Sequence, residues 1–241
     1  MNRLIIDGIK GISGNSFLGA ALSLGLPLPL LAASCEQLLG PHKVELRVEK
    51  IPSQFSEIIY FNTVSLKGGK EVDALRAKDA LDLLEASSLE DALKERTGRI
   101  LRSLFRSKAR AHGEALEEVR FRYEGMVDTL VDVLGAALTL TYFEAEEILV
   151  SGPIETGKGI IHLPHKELSI PVPMVRFLLE GFHYEQGIYK GEKVTPTGAA
   201  ILRAFGKEAE IRERFHGRTG FSFPVLPYDE GECFFLHLEE G

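Results

Sequence analysis

VRFRYEGMVDTLVDVLGAALTLTY, residues 119–142, is the stretch that decides the fold. Its first residues alternate between apolar and polar from Val119 to Tyr123, which is typical of a strand. Glu124-Gly125 ends the alternation, and apolar residues then recur at helical spacing to the end of the stretch. The stretch therefore predicts a strand, a glycine turn and a helix whose apolar stripe faces a core.

Two aspartates lie four residues apart on this predicted helix, which puts Asp128 and Asp132 one turn apart on one side. Asp128 falls in the first turn after the glycine, where free backbone amides and the helix dipole favour a carboxylate. A helix-start role is therefore one explanation of Asp128, and a functional site is the other. Asp132 lies a turn deeper among apolar residues and needs a different partner. The small residues 135–137 predict that another element packs closely against the same helix.

Composition and charge bound the functional classes. The 241-residue chain carries a formal net charge of −7, which argues against nonspecific binding to nucleic acid. No segment approaches the roughly 20 apolar residues that span a bilayer, and the apolar run near the N-terminus is too short for a signal peptide. The two cysteines, Cys35 and Cys233, indicate neither a disulfide framework nor a zinc site. We expect a cytoplasmic protein that binds neither nucleic acid nor membrane, with both thiols reduced and buried.

Short strand candidates alternate with helices along the rest of the chain. The first runs from Leu4 to Asp7 and the last from Glu232 to Leu238, and some strands are adjacent in sequence. This order predicts an α/β (or α+β) architecture, with a mixed β-sheet and helices packed on it. We expect residues 1–241 to form a single main domain, with a helical excursion near residues 73–114.

Two loops offer groups suited to an anionic ligand. Between the first strand and the first helix, Gly11 and Gly14 belong to a series of glycines at every third position and flank Ser13. Free amides at a helix start bind anions, although this loop is neither a P-loop nor a dinucleotide fingerprint. Thr195 and Thr197 stand at a second predicted helix start. Because hydroxyls at such positions also act as ordinary helix caps, both explanations stay open.

A local excess of positive charge lies between Lys94 and Arg122. Nine basic residues face four glutamates there, a local charge of +5 in a chain of net charge −7. One explanation is a solvated helix face. The other is a site for phosphate or carboxylate groups.

Four segments, taken in order, resemble one protein family. GISGNSFLGAAL, which begins at Gly11, is similar to the family's GISGDMFLGALL, and GMVDTLVDVLGAA, which begins at Gly125, is similar to GAVDSIVDIVGAA. His165 followed by IPVP is similar to a third motif. Glu192 followed by TPTGAAIL, which begins at Thr195, nearly matches ELTTPTGAAIL. These segments resemble the LarC family, nickel-insertion proteins (nickel chelatases) that complete the nickel-pincer nucleotide of lactate racemase.

The resemblance implies a divergent N-terminal LarC-like domain that inserts nickel into pyridinium-3,5-bisthiocarboxylic acid mononucleotide. It implies catalytic roles for a set of polar residues: Asp128, Asp132, His165 and Glu192. Three of these, Asp128, His165 and Glu192, would bind Ni²⁺. A second set would hold the nucleotide-like ligand: Gly11, Ser13, Gly14, Thr195, Thr197, Arg120 and Arg122. We expect Asp7, Asp128, His165 and Glu192 to face one cleft.

The same resemblance implies partners. A small anionic nucleotide-like ligand is expected, together with assembly as a homo-oligomer or with a fuller LarC homologue. The family associates CTP with a C-terminal region that would begin near where this chain stops.

The chain departs from the family at positions that suit a metal. Arg120 and Arg122 stand in the segment where family members have two histidines, and arginine stays protonated and repels a divalent ion. Asn15 stands where the family has an aspartate. Two alternatives therefore stay open: a paralogue that binds an anionic or nucleotide-like ligand without metal chemistry, and an interaction subunit. Whether the chain is an enzyme stays open with them.

Overall fold

Helices pack on a mixed β-sheet, which confirms the predicted α/β architecture. The computed structural model describes residues 2–41, 43–52, 57–66, 74–163, 166–210, 217–223 and 233–241. Within these ranges the strands are β1 (Asn2–Asp7), β2 (Val44–Pro52), β3 (Glu57–Ser65), β4 (Ala74–Arg76), β5 (Arg120–Arg122), β6 (Ala145–Ser151), β7 (Ile154–Glu155), β8 (Ile160–Leu163), β9 (Lys166–Ser169), β10 (Tyr184–Glu185), β11 (Gly206–Ala209), β12 (Arg218–Ser222) and β13 (Phe234–Glu239). The helices are α1 (Gly14–Leu24), α2 (Leu28–Leu39), α3 (Ala77–Ala86), α4 (Asp91–His112), α5 (Tyr123–Tyr142), α6 (Pro173–Leu178) and α7 (Pro196–Phe205).

The main sheet has seven strands in the order β11-β6-β1-β13-β12-β3-β2. Strand β1 lies parallel to β6, with Asp7 beside Ser151, and β11 lies parallel to β6 on its other side. The carboxyl ends of these strands therefore meet at one edge of the sheet. The loops that follow β1 and β6 leave this edge side by side, which is where open α/β sheets bind ligands.

Helix α5 is the central helix of the core. Of residues 126–140, only Asp128 is not buried. A Cβ at Gly135 would lie 2.3 Å from Leu18 Cδ2, so the predicted close packing at residues 135–137 is confirmed, with α1 as the neighbour. By length and composition α5 could cross a membrane, but 78% of the apolar window lies inside the fold, as in the core helix of a globular domain.

The start of α5 differs from the sequence prediction. The helix begins at Tyr123, with extended Arg122 as its N-cap, so the predicted glycine turn at Glu124-Gly125 is wrong. The cause lies in β5, which pairs with β4 over three residues only and ends at Arg122. Asp128 consequently lies in the second turn of α5, beyond the reach of the helix-start effect. The helix-start explanation of Asp128 is therefore wrong.

Other parts of the structure also differ from the sequence prediction. Helix α3 begins at Ala77 because the residues before it form β4 and pair with β5. Strand β11, which directly follows α7, was not predicted. Cys35 is buried as expected, whereas Cys233 is only half-buried, and both are free thiols. The division of the chain into one domain with a helical excursion stays a prediction.

Candidate functional site

The loop after β1 lies against the segment before α7. Ile12 N donates to Lys193 O at 2.9 Å, and Thr195 N donates to Ile12 O at 3.1 Å. A Cβ at Gly11 would lie 2.3 Å from Lys193 O. A Cβ at Gly198 would lie 2.2 Å from Ile12 O. Glycine at both positions therefore permits two segments far apart in sequence to form one surface.

Asp132 of α5 contacts the start of α1 at the same place. The residue is 3% exposed, and Gly14 lies so close that a Cβ there would be 2.0 Å from Asp132 Oδ2. With its amide nitrogen facing Asp132, Asn15 donates to both carboxylate oxygens, at 3.2 and 3.3 Å. Asn15 is thus the partner that Asp132 was predicted to need. The family-like segments that begin at Gly11, Gly125 and Glu192 therefore adjoin here.

Burial raises the pKa of both aspartates of α5. The pKa of Asp132 lies well above its ordinary value because the carboxyl is buried and because the charge of Asp128 opposes a second charge. Burial raises the pKa of Asp128 to about 6. Burial, together with the charges of Asp132 and Glu36, raises the pKa of the Cys35 thiol to about 12. Paired carboxyls in a poorly solvated place favour a bound proton or cation.

Glu192 and Lys193 lie in different electrostatic surroundings. Glu192 is half-buried, and burial raises its pKa. The next residue, Lys193, places Nζ 3.2 Å from Glu155 Oε2, with side chains 8% and 9% exposed. Lys193 Nζ also donates to Ile9 O at 3.0 Å. This buried ion pair joins the loops that follow β1 and β6 to the segment before α7.

Backbone amides complete the surroundings of Glu155. Its Oε1 atom accepts from Ile188 N at 3.2 Å and from Tyr189 N at 3.3 Å. Burial opposes the ionisation of Glu155, but these amides and Lys193 outweigh it, so the pKa lies below its ordinary value. Sequence reasoning missed this pair. In the sequence, Glu155 is an acid in one segment and Lys193 is a base in another. Nothing in either segment indicates that the two side chains meet.

Several hydroxyl and carboxyl groups in these loops cap helices. Ser13 Oγ accepts from Ser16 N at 3.1 Å, and Ser16 Oγ accepts from Ser13 N at 3.0 Å. Thr195 Oγ1 accepts from Gly198 N at 3.2 Å. Asp7 accepts from Ile9 N at 3.1 Å. The capping roles of Ser13 and Thr195 are confirmed. The ligand-holding roles stay predictions: Gly11, Ser13, Gly14, Thr195 and Thr197.

The two arginines before α5 lie on a small ribbon made by β4 and β5. Arg120 and Arg122 are both exposed. Arg76 lies opposite Arg120 in the ribbon, and it forms an ion pair with Asp79 at 2.8 Å. Binding of an anionic ligand by Arg120 and Arg122 stays a prediction.

Much of the basic run on α4 has partners within the fold. Arg96 lies 2.6 Å from a Glu146 oxygen. Arg110 lies 2.7 Å from a Glu180 oxygen. The Arg99 guanidinium stacks over the Phe205 ring, 4.7 Å from its centroid. These contacts favour the structural explanation of the charge excess at those positions.

The predicted metal site has one member that lies outside the described residues, His165. Within the described ranges, no three His, Cys, Asp or Glu side chains come close enough together to hold a metal ion. Nickel binding by Asp128, His165 and Glu192 therefore stays a prediction. His162, in the preceding strand β8, is exposed and lies 3.0 Å from Glu167.

Comparison with known proteins gives the family. A family profile described as "Nickel insertion protein" matches residues 4–220. The chain belongs to this family. The nickel insertion match includes all three segments that adjoin at Asp132 and the segment around Glu155.

Individual relatives are longer than this chain. A Geotalea daltonii protein named for nickel insertion is 32% identical over 234 residues, which cover 94% of this chain and 59% of the relative. One from Pelobacter propionicus with the same name is 36% identical over 200 residues, 82% of this chain and 50% of the relative. The chain thus spans between half and three fifths of the length of these relatives. No solved structure gives a significant match.

Proposed function

We propose that this chain holds pyridinium-3,5-bisthiocarboxylic acid mononucleotide while Ni²⁺ is inserted between its sulfur atoms. The observation that carries the proposal is the junction at Asp132, where the loop after β1, helix α5 and the segment before α7 adjoin. Polar groups brought together from separate segments at the carboxyl edge of a sheet are the usual form of a ligand site. Ni²⁺ is a substrate in this proposal.

The side chains divide into two roles. Asp128, His165 and Glu192 would deliver Ni²⁺, because carboxylates and imidazole suit a borderline divalent ion. Metal binding requires their deprotonated forms, so delivery by Asp128 would weaken below about pH 6. Asp132 would act through Asn15 and Gly14, by holding the loop after β1 against α5.

A second candidate is a relative that binds an anionic, nucleotide-like ligand without metal chemistry. The observation that favours it is the amide of Asn15 on Asp132, because the amide satisfies a carboxylate that would otherwise be available to a cation. Arg120 and Arg122 would then contribute positive charge to the ligand's phosphate or carboxylates.

Thermal unfolding in the presence of candidate ligands distinguishes the two candidate functions. Ni²⁺, Mn²⁺, CTP and a phosphate-bearing pyridine nucleotide would each be titrated against the chain. A ligand present at 100 times its Kd stabilises the fold by about 2.7 kcal/mol. Stabilisation by Ni²⁺ at pH 7.5 supports nickel insertion, whereas stabilisation by the nucleotide with no response to either metal ion contradicts it.

Substitutions at the proposed ligands show whether they cause the stabilisation by Ni²⁺. Asp128→Asn and Glu192→Gln should each reduce the Ni²⁺ response, because an amide is a far weaker nickel ligand than a carboxylate. Glu49→Gln, at an exposed position on β2, is the matched control. An equal loss in all three variants would show nonspecific metal binding.

We also propose a cytoplasmic location and an assembly partner. The chain would assemble with a second copy of itself or with a fuller LarC homologue, and in the latter case CTP would be used by the homologue's C-terminal region. Light scattering on the purified chain, alone and mixed with a full-length homologue, tests this. Two independent monomers in the mixture would contradict the partner proposal.

A further inference from the structure

A cleft of about 460 Å³ lies where the chain after β7 runs next to the chain after β10. Lys158 and Lys190 line it together with Gln186, Ile160 and Ile170. None of these residues has a role in the proposed nickel chemistry. The volume suits a molecule of about mononucleotide size.

The backbone holds the two lysines side by side. Lys158 and Lys190 form a parallel β-bridge, fixed by Lys158 N donating to Tyr189 O at 3.0 Å and Gly191 N donating to Lys158 O at 2.9 Å. Bridged backbones lie about 4.8 Å apart. Gly157 has a φ of +78°, and a Cβ there would lie 1.9 Å from Gly191 O, so this close pairing requires glycine.

Among the described residues, no acid compensates the charges of the lysine pair. Neither ammonium group forms an ion pair with a carboxylate among the residues that the structure describes. Like charges directly opposite one another on paired strands are destabilising. Many other cations of this fold have partners, including Lys193 with Glu155 and Arg110 with Glu180. An anion between Lys158 and Lys190 would remove the repulsion.

The rest of the lining adds an apolar wall and a fixed amide. Ile160 is 54% exposed, and Ile170 behind it is buried. Gln186 Nε2 donates to Ile170 O at 2.6 Å, which fixes the amide at the edge of the cleft. Strong cationic groups beside apolar surface suit a molecule that carries a phosphate on an apolar or aromatic body.

We propose that this cleft binds the phosphate group of a phosphate monoester of about mononucleotide size, with Lys158 and Lys190 on the phosphate and Ile160 against the body of the molecule. The inference rests on the proposed function in that its mononucleotide is such a phosphate monoester, but binding at this cleft requires neither nickel nor Asp128. It assigns phosphate binding to a place separate from the glycine and threonine loops.

Calorimetric titration of the whole chain at low ionic strength tests the proposal, with AMP, inorganic phosphate and adenosine as probes. AMP should bind saturably, inorganic phosphate more weakly, and adenosine at least tenfold more weakly than AMP. Lys158→Met/Lys190→Met should weaken AMP binding at least tenfold. Lys158→Arg/Lys190→Arg should retain it, because both positive charges remain.

A matched control removes the same charge elsewhere. Lys78→Met/Lys207→Met changes two exposed lysines away from the cleft and should bind AMP as the unaltered chain does. The proposal is overturned if AMP does not bind, if adenosine binds as tightly, or if both double methionine variants lose affinity equally. Asp128→Asn should leave AMP binding unchanged while it reduces the Ni²⁺ response, so a failure here is distinguishable from a failure of the nickel proposal.

Discussion

Replacing Asp128 by asparagine should stabilise the protein at neutral pH. Burial raises the pKa of this carboxyl from 3.8 to about 6. Each tenfold change in proton affinity is worth about 1.4 kcal/mol, so full ionisation of the folded state costs at most about 3 kcal/mol. Asparagine has nearly the same shape and no charge, and it avoids this cost. The charge on Asp128 also raises the pKa of Asp132, so its removal relieves the buried neighbour as well.

The effect has a defined pH window. Below pH 3.8 the carboxyl is protonated in both the folded and the unfolded chain, so the two proteins should be equally stable. Between pH 3.8 and about 6 the unfolded chain loses the proton while the folded chain keeps it, and the stability of the unaltered protein falls as pH rises. Above pH 6 the full difference is present. For a chain of this size, about 3 kcal/mol corresponds to a Tm difference of about 6 to 12 °C.

Urea unfolding followed by circular dichroism from pH 3.5 to pH 8 measures the difference. Asp82→Asn changes an exposed aspartate of α3 and is the matched control, with a pH profile expected to parallel that of the unaltered chain. If Asp128→Asn runs parallel to the unaltered chain at every pH, Asp128 is not held in a poorly solvated place. A variant less stable at pH 7 would show that the charge has a favourable partner.

Four further substitutions test the packing and the buried ion pair. Gly135→Ala should cost about 1–3 kcal/mol, because the new methyl must displace a leucine of α1; urea unfolding with no loss would contradict the close approach of α1 and α5. Gly14→Ala should cost a similar amount and should also weaken any Ni²⁺ response, because the methyl displaces Asp132; a variant with unchanged stability and metal response refutes the junction. Lys193→Met should cost about 3–5 kcal/mol by leaving Glu155 charged and unpaired, and Glu155→Gln/Lys193→Met should recover part of that loss. With Glu155→Gln alone also measured, single-variant costs that sum to the cost of the double variant would show that the pair is not coupled.

The sequence predicted the features that depend on local pattern. The cap at Thr195, the cap at Ser13 and the close packing at Gly135 follow from residue type and spacing, because each is specified within a few residues. The α/β class followed from the order of strands and helices. The resemblance to a family gave the expectation that Asp7, Asp128, His165 and Glu192 face one cleft, which stays a prediction because His165 lies outside the described residues.

Other features depend on partners distant in sequence. The start of α5 at Tyr123 is set by the pairing of β5 with β4. Nothing in residues 119–125 indicates that pairing. Asn15 was noted only as a lost acid, whereas its amide has a structural role on Asp132. The Glu155–Lys193 pair was missed for the same reason, since both members are ordinary residues within their own segments.

The Glu155–Lys193 pair has a consequence for how a ligand would bind. Through Ile9, Ile188 and Tyr189 it connects three parts of the chain before any ligand arrives: the loop after β1, strand β7 and the segment between β10 and α7. Little chain entropy then remains to be lost on association, which favours affinity for a given set of contacts. The amide hydrogens of Ile188 and Tyr189 should exchange slowly with solvent in the free protein, with little further slowing when ligand is bound. The folded chain would present its ligand with a surface already in its bound form.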